Sequence, residues 1–418
     1  MKLRVKPFTL FLYGIVLVLI VIGAKIISNG VNLPDPLEPL TVKKPEWTGL
    51  ITLWDVNYVD CGTGSNAGWL NRQIQRFERN NPGVFIDVRR ITPERMKMYF
   101  EGNMRDEFLP DIIALPVYEE IVPQDLLLDL KPYIKQNELD RLHHIAKKRI
   151  TRNGKIIGIP WMIAPYALIF NNRLVEEANI IIPEEELDFS FLDSAVRNLT
   201  FSKMEGKSQQ QYFGFCTYSN FHSRPLLSII HGNEDTIIDR KAYNLILKWY
   251  QESGALPQGM ADYTFNEAWE LFARQGRVGI LLGNVRAIYQ MRSLQQMGKG
   301  FDITVKGIPA DDKKGLFSDQ VGAYGIIKTG NREKLGLCVS FLKMLIEDDA
   351  QKELKLIGAF PAVSTIEAIY QDDPQMSVLE SSLQNYIFSP DDRHWKENGE
   401  RAYAEVKQIL GRASGTEE

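Results

Sequence analysis

Hydrophobic and polar positions divide the chain into three stretches. Residues 8–24 carry no charge, and Lys2, Arg4 and Lys6 stand ahead of them. About 17 apolar residues is the lower limit for crossing a bilayer core, and Lys25 can snorkel so that Ile26 and Ile27 lengthen the run. The pattern predicts a transmembrane helix within residues 1–28, its basic end in the cytoplasm and the rest of the chain outside. A cleaved signal peptide shares these basic and apolar halves. Ile22-Gly23-Ala24 is a poor cleavage site because a large Ile stands two residues before Ala, so an uncleaved anchor is preferred. Residues 29–46 contain Pro34, Pro36 and Pro39 and read as a semi-extended stalk.

From Trp47 onward the pattern alternates strands with helices. Residues 50–54 read as a strand and 68–80 as a helix through Leu70, Ile74 and Phe77. Residues 84–88 read as a second strand after the turn Asn81-Pro82-Gly83. A helix over 94–104, a strand over 111–115 and a helix over 118–124 continue the series. Such alternation implies an α/β fold whose parallel or mixed sheets are covered on both faces. The length favours two lobes over one.

Charge and cysteine usage narrow the function classes. A formal net charge of −4 gives no nucleic-acid signal. Cys61, Cys216 and Cys338 are widely spaced, which resembles neither a disulfide scaffold nor a zinc site and fits unpaired thiols. No cofactor or catalytic motif is found. The paired acids at Asp311-Asp312, Asp348-Asp349, Asp372-Asp373 and Asp391-Asp392 read as solvated carboxylates at turns and helix ends, and His143-His144 as part of a solvated helix. Open sheets bind ligands beyond the carboxyl ends of their strands. This points to Asn57, Tyr58 and Asp60 after the first strand, and to Tyr118 and Glu119 after the third.

Several segments, in order, then resemble one family. They are Phe77-Glu78-Arg79-Asn80-Asn81-Pro82, Pro110-Asp111-Ile112-Ile113, Leu128-Asp129-Leu130-Lys131-Pro132-Tyr133-Ile134, and Gly154 to Trp161 followed by Ala167 to Leu174. Phe272 to Ile280, Asp319 to Ile327, a helix over 336–346 and Gly358-Ala359-Phe360-Pro361-Ala362 extend the match to the closing portion. The chain resembles the extracellular solute-binding proteins of family 1, which deliver sugars and oligosaccharides to ABC importers and include maltose-binding protein. The resemblance implies a two-lobed, periplasmic-binding-protein-like type II fold with a hinged cleft. Crossings are expected near Pro160, Pro309 and Phe360, lobe one as 47–161 with 310–357, and lobe two as 162–309 with 358–418.

It also implies a monomer that takes a carbohydrate into the cleft, closes on it and presents itself to permease subunits. A membrane-tethered receptor signalling to a regulatory partner is the alternative, and an enzyme is not expected. Ligand contacts are implied at Trp161, Tyr218, Asn220, Asn284, Arg286, Asp319 and Trp395, because a sugar ring needs an aromatic face together with amide and charged partners. Asn284 and Arg286 stand where many members carry Gly-x-Trp, which leaves room for an acidic or modified sugar. Arg286 reads equally well as a surface ion-pair residue on the following helix. If Trp161 faces the ligand, its replacement by Ala weakens binding with little change in melting temperature.

Overall fold

The computed structural model describes residues 47–102, 108–116, 121–220, 223–231, 239–309, 316–317, 319–328, 330–366, 368–388, 401 and 403–410. The span and stalk expected over residues 1–46 lie outside these. Among the described residues no helix is long and apolar enough to cross a membrane.

The strands, in chain order, are β1 (Gly49–Asp55), β2 (Val84–Arg90), β3 (Ile112–Ala114), β4 (Thr151–Arg152), β5 (Lys155–Ile156), β6 (Ile159–Ile163) and β7 (Tyr166–Asn171). They continue as β8 (Phe201–Glu205), β9 (Ser208–Cys216), β10 (Val278–Asn284), β11 (Ile303–Lys306), β12 (Leu316–Phe317), β13 (Val321–Ile326), β14 (Phe360–Pro361) and β15 (Tyr386–Phe388). Two main sheets result. The first has the order β14-β6-β13-β3-β1-β2 and the second β11-β7-β10-β9-β8. β1 runs parallel to β2 and β3, whereas β13 is antiparallel to both β3 and β6. β7 and β10 are buried along their whole length, which explains their unbroken apolar sequence.

The helix Ala67–Asn80 forms because Trp69, Leu70, Gln73, Ile74 and Phe77 recur at helical spacing and share a buried face. Phe77 meets Phe341 of the helix Arg332–Met344 edge-on, at 5.3 Å between ring centroids. The Trp69 indole donates to the Ala350 carbonyl at 2.9 Å, so a late segment of the chain closes the core of the first sheet. Thr92 caps the helix Pro93–Glu101. The helix expected over 118–124 is not seen at its end. Residues 121–124 are irregular, and Pro123, which has no N–H to donate, interrupts them; residues 117–120 lie outside the described set.

The chain passes between the sheets three times. β6 runs on to Ile163, and only Ala164 and Pro165 separate it from β7. The return falls between β11 and β13. After β14, which pairs with β6, the helix Pro374–Ser382 lies against β11, where the Gln375 side chain donates to the Ile303 carbonyl at 3.1 Å. Sheet membership therefore continues a few residues past Trp161 and Ile357. Gly358 stands near the last passage at φ 67°, and a Cβ there would lie 2.7 Å from the Tyr289 ring and 2.8 Å from Gly62. Only glycine satisfies both the left-handed backbone and that close approach.

The three cysteines are buried and unbonded. Burial pushes the Cys61 thiol up to about 11 and Cys338 up to about 12. Asp348 and Asp349 open a short helix and Asp373 caps another, with Arg141, Arg76 and Arg292 as their respective partners. His143, expected in a solvated helix, instead precedes the helix His144–Ile150, and burial lowers its pKa to about 4.

Candidate binding site

β1 ends at Asp55, and the chain then turns along the carboxyl edge of the first sheet. The Asp55 carboxylate accepts from the Tyr324 hydroxyl at 2.8 Å and from the Asn66 amide at 3.4 Å. Burial raises its pKa, opposed by those two hydrogen bonds and by the Arg90 charge. Asp55, Asn57, Tyr58, Asn66, Trp161 and Tyr324 line a small cavity of about 10 Å³. That is room for about one water and far less than a sugar ring needs.

Polar side chains tie this edge to the second sheet. Asn284, the last residue of β10, donates to the Asp60 carboxylate at 2.7 Å. The helix Val285–Gln296 starts immediately afterwards, so the position expected to be a loop is a strand-to-helix junction. Arg286, in the first helical turn, stands 3.8 Å from Asp60 and 5.1 Å above the Phe265 ring. It lies on the following helix, and its ion pair is with the opposite sheet's edge. The Asp60 backbone N–H donates to the Gln320 side chain at 3.0 Å. Asp319 accepts from the Tyr166 hydroxyl, from the Arg224 backbone N–H at 3.0 Å and from the Gln320 amide at 3.2 Å. Tyr166 also shares a hydrogen bond with Ser223 at 2.9 Å.

Asn284 Oδ1 is a buried atom with no hydrogen-bond partner here, and the buried Tyr218 hydroxyl faces Ser223 and the Asn284 backbone. Burial holds the Tyr218 pKa well above 10, and the charges of Asp60 and Asp319 reinforce this, so the phenol stays neutral. Its ring meets Phe265 edge-on at 5.1 Å. Leaving the Asn284 oxygen unpaired costs about 1–3 kcal/mol, so it has capacity for a further donor.

The structure thus brings Asp60, Asn284, Arg286 and Asp319 into one buried network with Tyr218 beside it. Tyr58 is buried with its hydroxyl donating to the Met96 sulfur at 3.1 Å, and Asn57 is exposed at the cavity rim. Asn220 is half-buried, and its backbone pairs with Ser223. Tyr118, Glu119 and Trp395 lie outside the described residues.

Trp161 departs from expectation. Its ring is 3% exposed, stacked on Trp69 at 4.8 Å and on Tyr324 at 6.1 Å, and a Cβ on Gly322 would approach it to 2.7 Å. It lines the cavity, but its area is committed to packing, which corrects the expectation that removing it leaves stability unchanged. Sequence reading missed Tyr166, Asn66 and Arg224. Tyr166 carried a signal, as an aromatic hydroxyl opening an otherwise apolar strand after Pro165.

No family model matches this chain, and no curated protein matches it. Solved structures do. A sugar-binding protein, MalE, from Xanthomonas citri superposes at TM-score 0.66 with 14% identity, over 88% of this chain and 93% of that one. An ABC substrate-binding protein from Listeria monocytogenes, solved in complex with cycloalternan, gives TM-score 0.65 with 17% identity over 88% and 95%. The maltotriose-binding protein of Thermus thermophilus, bound with maltotriose, gives 0.55 with 17% identity over 87% and 100%. From Trp47 onward the described chain has the α/β fold of the two-lobed, MalE-like substrate-binding proteins.

Proposed function

We propose that this chain is an extracytoplasmic solute-binding protein that captures a carbohydrate for an ABC importer by closing two lobes. The observation that carries the reading is the Asn284–Asp60 hydrogen bond, which joins segments at the carboxyl ends of two strands in different sheets. The lobes would be 47–163 with 319–366, and 166–309 with the C-terminal segment. An opening movement would separate Asn284 and Arg286 from Asp60, and Tyr166 from Asp319. The freed amide, carboxylate and guanidinium groups, with the neighbouring Tyr218 hydroxyl, are the partners that sugar hydroxyls require.

Binding energy in this scheme stabilises the closed state and goes into no bond breaking, so the protein acts as a carrier and not an enzyme. The uncharged run over residues 8–24 would tether it to the membrane as a monomer, within reach of permease subunits. The test is a panel of oligosaccharides added to the purified protein, read by small-angle scattering and melting temperature. Compaction and a raised melting temperature with at least one saccharide, without its turnover, are expected. If no saccharide changes either quantity, the reading is wrong.

A further inference from the structure

The groove on the other face of the first sheet has no part in the cleft. We propose that it is a second binding site, for a small molecule carrying a multiply charged phosphate group. Successive residues of a strand point to opposite faces. Asp55 lines the cleft cavity while its neighbour Trp54 lines this groove, so β1 separates the two sites.

The groove encloses about 860 Å³, within the range of small-molecule sites. Arg89, Arg90, Arg95, Lys328 and Lys334 line it, and Asp111 is the single carboxylate among the lining residues. Lys334 occupies Asp111 at 2.7 Å, and Arg89 is paired with Asp87 at 3.0 Å. The other three cations are left with weak partners. Arg90 is 3.8 Å from the nearest oxygen of Asp55, whose carboxyl is itself shifted toward neutrality. Arg95 donates to the Tyr99 hydroxyl at 2.7 Å and lies over that ring, with no ion pair among the described residues. The Lys328 ammonium donates to the Asp125 backbone carbonyl.

Five like charges around one hollow repel one another, and they do so in a chain whose formal net charge is −4. An anion in the groove would relieve that repulsion and be held by guanidinium forks in a positive field. Aromatic packing sets the fork in place: Tyr99 lies 5.2 Å from Trp54, and Arg95 rests on Tyr99. The chemistry fits a phosphate ester in solution or a phospholipid headgroup.

Calorimetry on the full-length chain with two probes tests this: pyrophosphate, and dihexanoyl phosphatidic acid below its micelle concentration. Binding of either, weakened about tenfold or more in R89A/R95A and falling as salt rises, is expected. Preference for the lipid assigns the headgroup source, and preference for pyrophosphate the soluble one. Absence of heat with both probes overturns the proposal, as does equal affinity in the variant. R95Q provides the same comparison if the double variant does not fold. Saccharide binding in the cleft should be unchanged in both variants.

Discussion

The two sides of the cleft are built from different materials. On the first sheet Trp69, Trp161 and Tyr324 stack into a dry aromatic block. On the second, Tyr218, Asn284 and Arg286 present hydroxyl, amide and guanidinium groups around Asp60. The contrast teaches that an aromatic residue near a strand end in sequence is not thereby a ligand platform. The rings bury their area against one another, whereas the polar side is held by hydrogen bonds and an ion pair.

Replacing Trp161 by Ala should break the comparison most severely. A cavity in the aromatic block should cost about 3–5 kcal/mol of stability, measured by urea unfolding. A small loss of stability with a large loss of saccharide affinity would return Trp161 to the ligand. Asn284→Ala is next. It leaves the buried Asp60 carboxylate short of a hydrogen bond, and should cost about 1–3 kcal/mol and open the cleft, read as a larger radius of gyration without ligand. An unchanged radius would mean that this bond does not hold the lobes together.

Acidification should act on the first half of the chain. His143 titrates near 6.5 when unfolded and about 4 when folded, because burial disfavours its charged form. The unfolded state therefore takes up the proton first, so the contribution is complete above pH 6.5 and is lost as pH falls toward 4. Melting temperature should drop over that window and drop less in His143→Gln. Equal pH dependence in both proteins would assign the effect elsewhere. Arg286→Ala should be mildest on stability. Its side chain is 37% exposed and its contact with Asp60 is 3.8 Å, so about 0–1 kcal/mol is expected. A weakened saccharide affinity in this variant would place the guanidinium against the ligand.

Local order was legible in the sequence wherever periodicity was strong. The helix carrying Leu70, Ile74 and Phe77 and the strand after Asn81-Pro82-Gly83 both stand where the pattern put them. Asp60 was expected from the carboxyl end of the first strand, and Asn284 and Asp319 from the family resemblance; the structure joins the three through hydrogen bonds. What stayed hidden were meetings between distant segments. Trp69 reads as the apolar face of a helix, and nothing in its spacing tells that it covers Trp161 ninety-two positions later. Likewise Arg89, Arg90 and Arg95 read as ordinary solvated charge until Lys328 and Lys334 arrive beside them.

The antiparallel insertion of β13 between β3 and β6 has a consequence for biosynthesis. β3 and β6 have no direct neighbour in each other, and β14 joins β6 later still, so the earliest-made sheet waits, incomplete, until residue 361 has left the ribosome. Every strand of the other sheet lies within residues 166–306 and needs no such wait. The middle of the polypeptide should therefore become protease-resistant before its beginning. Arrested nascent chains with residue 306 clear of the ribosome would already contain every strand of the second sheet, with the first sheet still open.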